Sequence, residues 1–161
     1  MHVAVTDRAG EMTYFVTNSG VSGGLTKHDT PRPVEWQEIS VPSATLDELF
    51  SGLVPDFIKI DVEGAELSVL RGAQRILDHG STSFLIELYD WPSGADTSSE
   101  VTAVMRRAGY LRGSFYGQPL FVTSRRLWLR LVLMELLHNP YQALRRWRHT
   151  LRGRHPSVSD S

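Results

Sequence analysis

The 161-residue chain contains no cysteine, which excludes disulfides, thiolate metal sites and cysteine nucleophiles. Its six histidines, at positions 2, 28, 79, 138, 149 and 155, are scattered. None sits in an HxxxH or HExxH pair, which argues against a zinc hydrolase. No GxGxxG fingerprint is present. The only glycine-rich stretch, NSGVSGG at Asn18–Gly24, does not open a helical pattern and reads as flexible loop. Long apolar runs are missing too. The longest, Leu127–Leu137, is broken by Arg130 and Glu135, whereas a spanning helix needs ~20 apolar residues. Met1–Thr6 lacks a basic start, and Asp7 cuts its apolar run short, so it does not read as a signal peptide. The expected compartment is the cytoplasm. No internal repeat or low-complexity segment is visible.

What is there is ordinary in bulk and uneven in charge. The 41% apolar and 22% charged fractions suit a globular protein, and the length suits one domain. Residues 1–120 carry 9 Lys/Arg and 16 Asp/Glu, a net of −7. Residues 121–161 carry 8 Arg and 2 acids, a net of +6. An acidic body at 1–124 followed by a basic helical tail at 125–161 implies two regions with different partners.

Local patterns alternate between strand and helix. MHVAVTD and EMTYFVT alternate apolar and polar residues around Arg8-Ala9-Gly10 and predict two strands joined by a tight turn. Asn18–Pro33 is rich in Gly, Ser, Thr and Pro and predicts a mobile loop. WQEISV (36–41) predicts a short strand. Thr45-Leu-Asp-Glu48 has capping-box spacing and predicts a short helix reaching Gly52. Phe57–Val62 is an apolar, β-branched run. Leu67, Leu70, Ala73 and Leu77 then recur at helical spacing, and His79-Gly80 marks a glycine stop. Ser83–Tyr89 is another apolar strand, so this stretch predicts a parallel strand–helix–strand crossover. Thr97-Ser-Ser-Glu100 has capping-box spacing, ahead of a helix that stops at Gly109. LRGSFY and LFVTS flank Gly117-Gln118-Pro119 and predict a hairpin.

The segment FIKIDVEGAE (57–66) places Asp61, Glu63 and Glu66 within six residues at the end of an apolar strand. Ionised carboxylates resist burial and repel each other, so a ligand uses them or the fold spreads them onto exposed and capping positions. Ligands of open parallel sheets bind at the carboxyl ends of the strands. Asp61 and Glu63 lie at that end of one strand, and Glu87 and Asp90 near that end of the next. Asp90 is followed by Trp91-Pro92, an aromatic suited to wall a pocket. Glu66 falls in a first helical turn, where the macrodipole favours a carboxylate. Lys59 and Glu87 interrupt apolar strands and are expected to pair across the sheet.

These residues resemble a known family. The run LDELFSGLVPDFIKIDVEGAELSVLRGAQRIL, followed by FLIEL and AGY, resembles the FkbM-type methyltransferases, which depend on S-adenosylmethionine. KIDVEGAE followed by VLRGA is the specific part, and MHVAVTDRAGEMTYFV is similar to the middle of that domain. The resemblance covers about residues 2–124. It implies an α/β fold, a Rossmann-like class I methyltransferase sheet with helices on both faces. It also implies methyl transfer to a hydroxyl of a sugar or natural product. By position it implies Asp61 at the methyl-transfer site, with Glu87 as a second catalytic candidate. Asp7 falls on the adenine side, and Asp61 and Glu63 fall beside the cofactor. The glycine loop and ribose-binding acid of the family should precede MHVAVTD. The chain therefore reads as the carboxyl-terminal part of such a domain, with its first strands missing and a sheet edge exposed to self-association or a partner chain. The alternatives are a non-catalytic remnant or subunit lacking the cofactor loop, and an acid-cluster hydrolase using Mg²⁺.

In the basic tail, Asn139-Pro140 is a helix-start signal. Leu144, Trp147 and Leu151 form a stripe among Arg145, Arg146, Arg148 and Arg152. Leu127–Leu137, apolar nearly all round, is expected to be buried. The tail either docks on the domain or a partner subunit, or lies on an anionic membrane surface. Nucleic acid is not expected, since the body is acidic and carries no binding motif.

Overall fold

The computed structural model describes residues 2–18, 23–24, 35–88, 97–115 and 117–138. The expected tail helix from Asn139, most of the Asn18–Pro33 loop, and Asp90, Trp91 and Pro92 lie outside the described residues.

Among the described residues, eight strands form two four-stranded sheets. The first holds β1 (Ala4–Val5), β2 (Gly10–Thr17), β3 (Gly23–Gly24) and β4 (Trp36–Ala44), in the order β1-β4-β2-β3. The expected hairpin between the first two segments does not form. β4 lies between them, parallel to β1 and antiparallel to β2 over eight residue pairs, from Gly10↔Ser43 to Thr17↔Trp36. The polar alternation of WQEISVPSA continues past residue 41, which makes β4 longer than its first six residues indicate. Gly23 and Gly24 of the glycine-rich stretch are strand rather than loop, paired with Val16 and Phe15. A Cβ at Gly23 would press on the Tyr14 ring at 2.8 Å, so the residue serves close strand packing.

The capping box forms as read. Thr45 Oγ1 accepts from Glu48 N at 3.1 Å, and Glu48 Oε2 accepts from Thr45 N at 2.9 Å, opening α1 (Leu46–Leu49). The expected single helix through residues 66–79 is instead two, α2 (Glu66–Arg71) and α3 (Gln74–His79). The break has a tertiary cause. The end of β1 runs against Gly72, where a Cβ would collide with the Thr6 carbonyl oxygen. Asp47 of α1 enters the gap: its N–H donates to Gly72 O at 3.0 Å, and its carboxylate accepts from Arg75 N at 2.7 Å and Ile76 N at 3.1 Å. Asp47 thus caps a helix whose own N-cap, Ala73, has no side chain to do so. Gly80, at φ +72°, ends α3 as the glycine stop predicts.

The second sheet has the order β5-β6-β8-β7, from β5 (Phe57–Ile60), β6 (Ser83–Ile86), β7 (Leu111–Phe115) and β8 (Gln118–Val122). β5 and β6 are parallel, as the crossover requires, and β8 is antiparallel to both β6 and β7. α4 (Thr97–Arg107) precedes β7. α5 (Arg125–His138) follows β8.

Register separates the two faces of this sheet. Ile58, Phe84 and Phe121 are aligned neighbours and join Val69, Leu70, Ile76, Leu77, Val101 and Met105 in one buried core. Lys59, Leu85, Leu120 and Gly113 align on the opposite face. There α5 covers the β7 side: Leu131 lies over Gly113, and Trp128 Nε1 donates to Arg112 O at 2.9 Å. Helices therefore lie on both faces, as expected. α5 itself differs from expectation. It buries one side against β7 and leaves Leu129, Leu133 and Leu137 exposed.

Candidate active site

The site begins with the alternation of β5. Side chains of a strand point to opposite faces with period 2, so burying Ile58 and Ile60 turns Lys59 and Asp61 to the other face. On β6 the same rule buries Phe84 and Ile86 and turns Leu85 and Glu87 outward. The register pairs Ile60 with Ile86, and Glu87 N donates to Ile60 O at 2.9 Å. Asp61 and Glu87 therefore leave the carboxyl ends of two adjacent parallel strands side by side.

Lys59 joins them. Its Nζ lies 2.6 Å from Asp61 Oδ2 and 3.6 Å from Glu87 Oε2. The sequence pairs Lys59 with Glu87; the structure adds the shorter contact to Asp61, legible in the i, i+2 spacing of a strand. The ammonium thus lies within ion-pair distance of both carboxylates. The hydrogen bond to Asp61 is the chief cause that raises the Lys59 pKa above its ordinary value; partial desolvation opposes it, and the Asp61 and Glu87 charges assist. The group stays protonated throughout the neutral range. The side chains are half to a quarter exposed, so water and salt screen this cluster.

The loop after β5 is strained. Glu63 has φ +48°, and among the described residues it is the sole non-glycine with positive φ; Gly64 follows at +104°. Only glycine adopts the second value without cost, and a Glu in the first stores strain of a kind concentrated at functional sites. Glu66 holds this turn from below. It is fully buried, and its Oε1 accepts from Gly64 N at 2.9 Å. Its Oε2 has no partner among the described residues. The sequence places Glu66 in the first turn of a helix, which is correct, but its burial comes from the tertiary fold.

Asp7 is anchored elsewhere, at the end of β1. Thr6 Oγ1 donates to Asp7 Oδ1 at 3.0 Å. That commits the Thr6 proton, so Ser68 of α2 donates to Thr6 Oγ1 at 2.9 Å, while Asp7 N donates to Ser68 Oγ at 3.3 Å. The Thr6 hydroxyl is the chief cause that lowers the Asp7 carboxyl below the ordinary carboxylate value. The structure thus unites Asp61 and Glu87 through Lys59, puts Glu63 on the strained loop beside them, and ties Asp7 to the helix that this loop opens.

The fold is that of an α/β domain with an acidic rim at the carboxyl ends of its parallel strands. A model of the methyltransferase FkbM domain matches residues 1–112, and the chain belongs to that family. No curated protein and no solved structure matches it significantly.

Proposed function

We propose that the chain acts in S-adenosylmethionine-dependent methyl transfer to a hydroxyl group of a sugar or natural product. The observation that carries this reading is the Lys59–Asp61–Glu87 cluster at the strand ends of a chain belonging to a methyltransferase family. The sheet order β5-β6-β8-β7, with β8 reversed, supports the further reading of a Rossmann-like class I methyltransferase sheet.

The acids suit the cofactor in charge. S-adenosylmethionine bears a sulfonium, an ammonium and ribose hydroxyls, and supplies an electrophilic methyl group when bound. Asp7, held ionised by Thr6, serves the adenosine side; Asp61 and Glu63 serve the side nearer the sulfonium. Asp61 would take the proton that the acceptor hydroxyl loses as its oxygen gains the methyl group and the methyl–sulfur bond breaks to leave a neutral thioether, with Glu87 as the second carboxylate. Positioned proton transfer of this kind contributes typically ~10²–10⁴-fold. Lys59 balances the charge of both acids and holds their side chains in place. Alignment of the acceptor oxygen is the larger contribution, up to ~7–11 kcal/mol in favourable cases.

The test is transfer of a labelled methyl group from S-adenosylmethionine to a panel of saccharides and hydroxylated natural products. Labelled product from the parent chain, lost with Asp61→Asn and reduced with Glu87→Gln, supports the assignment. Undiminished transfer by Asp61→Asn removes Asp61 from the chemistry.

A further inference from the structure

Helix α5 has a docked side and an open side. Trp128 and Leu131 face β7, as described. On the other side, Arg126, Arg130, Leu133 and Leu137 follow at intervals of four, three and four, so they form one line along the helix. Leu129 flanks this line. Leu129, Leu133 and Leu137 are 53%, 57% and 79% exposed, and both arginines are exposed as well.

We propose that this face of α5 docks in the interfacial layer of a membrane carrying anionic lipid. Three observations select that occupant. First, the exposed leucines share their line with two guanidiniums. Burying those in a protein interface requires acidic partners, whereas at a bilayer surface their stems lie along the apolar layer and their heads meet lipid phosphates. Second, the charge has the right sign: residues 121–161 hold 8 Arg and 2 acids. Anionic leaflets attract such basic segments. A second copy of the same face would set these arginines against one another if packed parallel, and against Leu133 and Leu137 without an acidic partner if packed antiparallel. Third, the geometry fits lying on a membrane rather than crossing it. The fourteen described residues of α5 span only ~21 Å at 1.5 Å per residue, against a hydrocarbon core of ~30 Å. Among the described residues no helix is long and apolar enough to cross. The assignment is independent of methyl transfer; if both hold, the acceptor is reached at a membrane surface.

The experiment is co-sedimentation of the full chain with vesicles of phosphatidylcholine alone and of phosphatidylcholine with about one third phosphatidylglycerol. Two double variants accompany it, Leu133→Glu with Leu137→Glu and Arg126→Glu with Arg130→Glu. All four positions are exposed, so the thermal transition should be retained; should one variant lose it, the other decides. The expected result is retention on the anionic vesicles, weakened by salt, with each folded variant partitioning at least about tenfold less. Absence of retention overturns the proposal. So does retention of the leucine variant equal to the parent, which would assign binding to other basic residues. A lipid-free dimer abolished by the leucine substitutions, without vesicle binding, would assign the face to a second copy.

Discussion

Replacing Gly72 with alanine should destabilise the protein although the backbone there suits any residue. Gly72 has φ −82° and ψ 8°, so no left-handed conformation is at stake. The constraint is space. The added methyl would overlap the Thr6 carbonyl oxygen and lie 3.2 Å from Thr45 Cβ. Neither the Thr6 carbonyl nor the α2–α3 junction can rotate aside as a flexible side chain would, so the two segments must part by roughly 1 Å to restore ordinary contact. That movement stretches the 2.9 Å Thr6–Ser68 hydrogen bond and the 3.0 Å bond from Asp47 N to Gly72 O. Overpacking costs ~1–3 kcal/mol, and two weakened hydrogen bonds add up to ~1 kcal/mol each. The opposing gain from a stiffer unfolded chain is only ~0.4–1 kcal/mol. The net expectation is a loss of about 1–4 kcal/mol, or roughly 3–12 °C in Tm for a chain of this size. Urea denaturation followed by circular dichroism measures it. A Gly72→Ala variant as stable as the parent would refute the idea that β1 is pinned against the α2–α3 junction, and with it the placement of Asp7 beside α2.

Other outcomes follow from single contacts. Thr45→Ala removes the acceptor for Glu48 N and should lower unfolding stability by ~1 kcal/mol, read from the urea midpoint. Tyr110→Phe should leave stability unchanged or raise it, because the Tyr110 hydroxyl is buried without a partner among the described residues. The same burial raises the Tyr110 pKa, so a spectrophotometric titration should find one tyrosine ionising late. The folded-state pKa of Asp7 is depressed below 3.8, so its contribution is present above that value and is lost as pH falls through the folded pKa. Asp7→Asn should therefore flatten the acid limb of the stability–pH curve, measured by urea midpoints below pH ~5.

The sequence is most legible where one short segment determines its own structure. The Thr45–Glu48 box, the Gly80 stop and the parallel β5–β6 pair need only local spacing and glycine placement; the β7–β8 hairpin forms too, but with Gln118 and Pro119 paired in β8 rather than in the turn. Readings fail where distant segments meet. β4 displaces β2 from β1 because strand neighbours are chosen by the whole sheet. The α2–α3 break at Gly72 arises from Thr6 and Asp47, which lie 66 and 25 residues earlier in the chain, while the apolar spacing of Leu67, Leu70, Ala73 and Leu77 runs on undisturbed. In the site, period-2 alternation places Lys59 and Asp61 on one face, and the crossover brings Glu87 beside them. The Thr6–Asp7–Ser68 chain and the burial of Glu66 have no local signal. A carboxylate at a helix start looks the same in sequence whether water or a core covers it.

The cluster of acids around β5 has a chemical purpose in this account only if the chain binds the methyl donor. Isothermal titration of the full chain with S-adenosylmethionine tests that most directly. Saturable binding near one equivalent, competed by S-adenosylhomocysteine and weakened by Asp7→Asn and Asp61→Asn, is the expected result. No binding by a chain that shows a cooperative thermal transition would contradict the account.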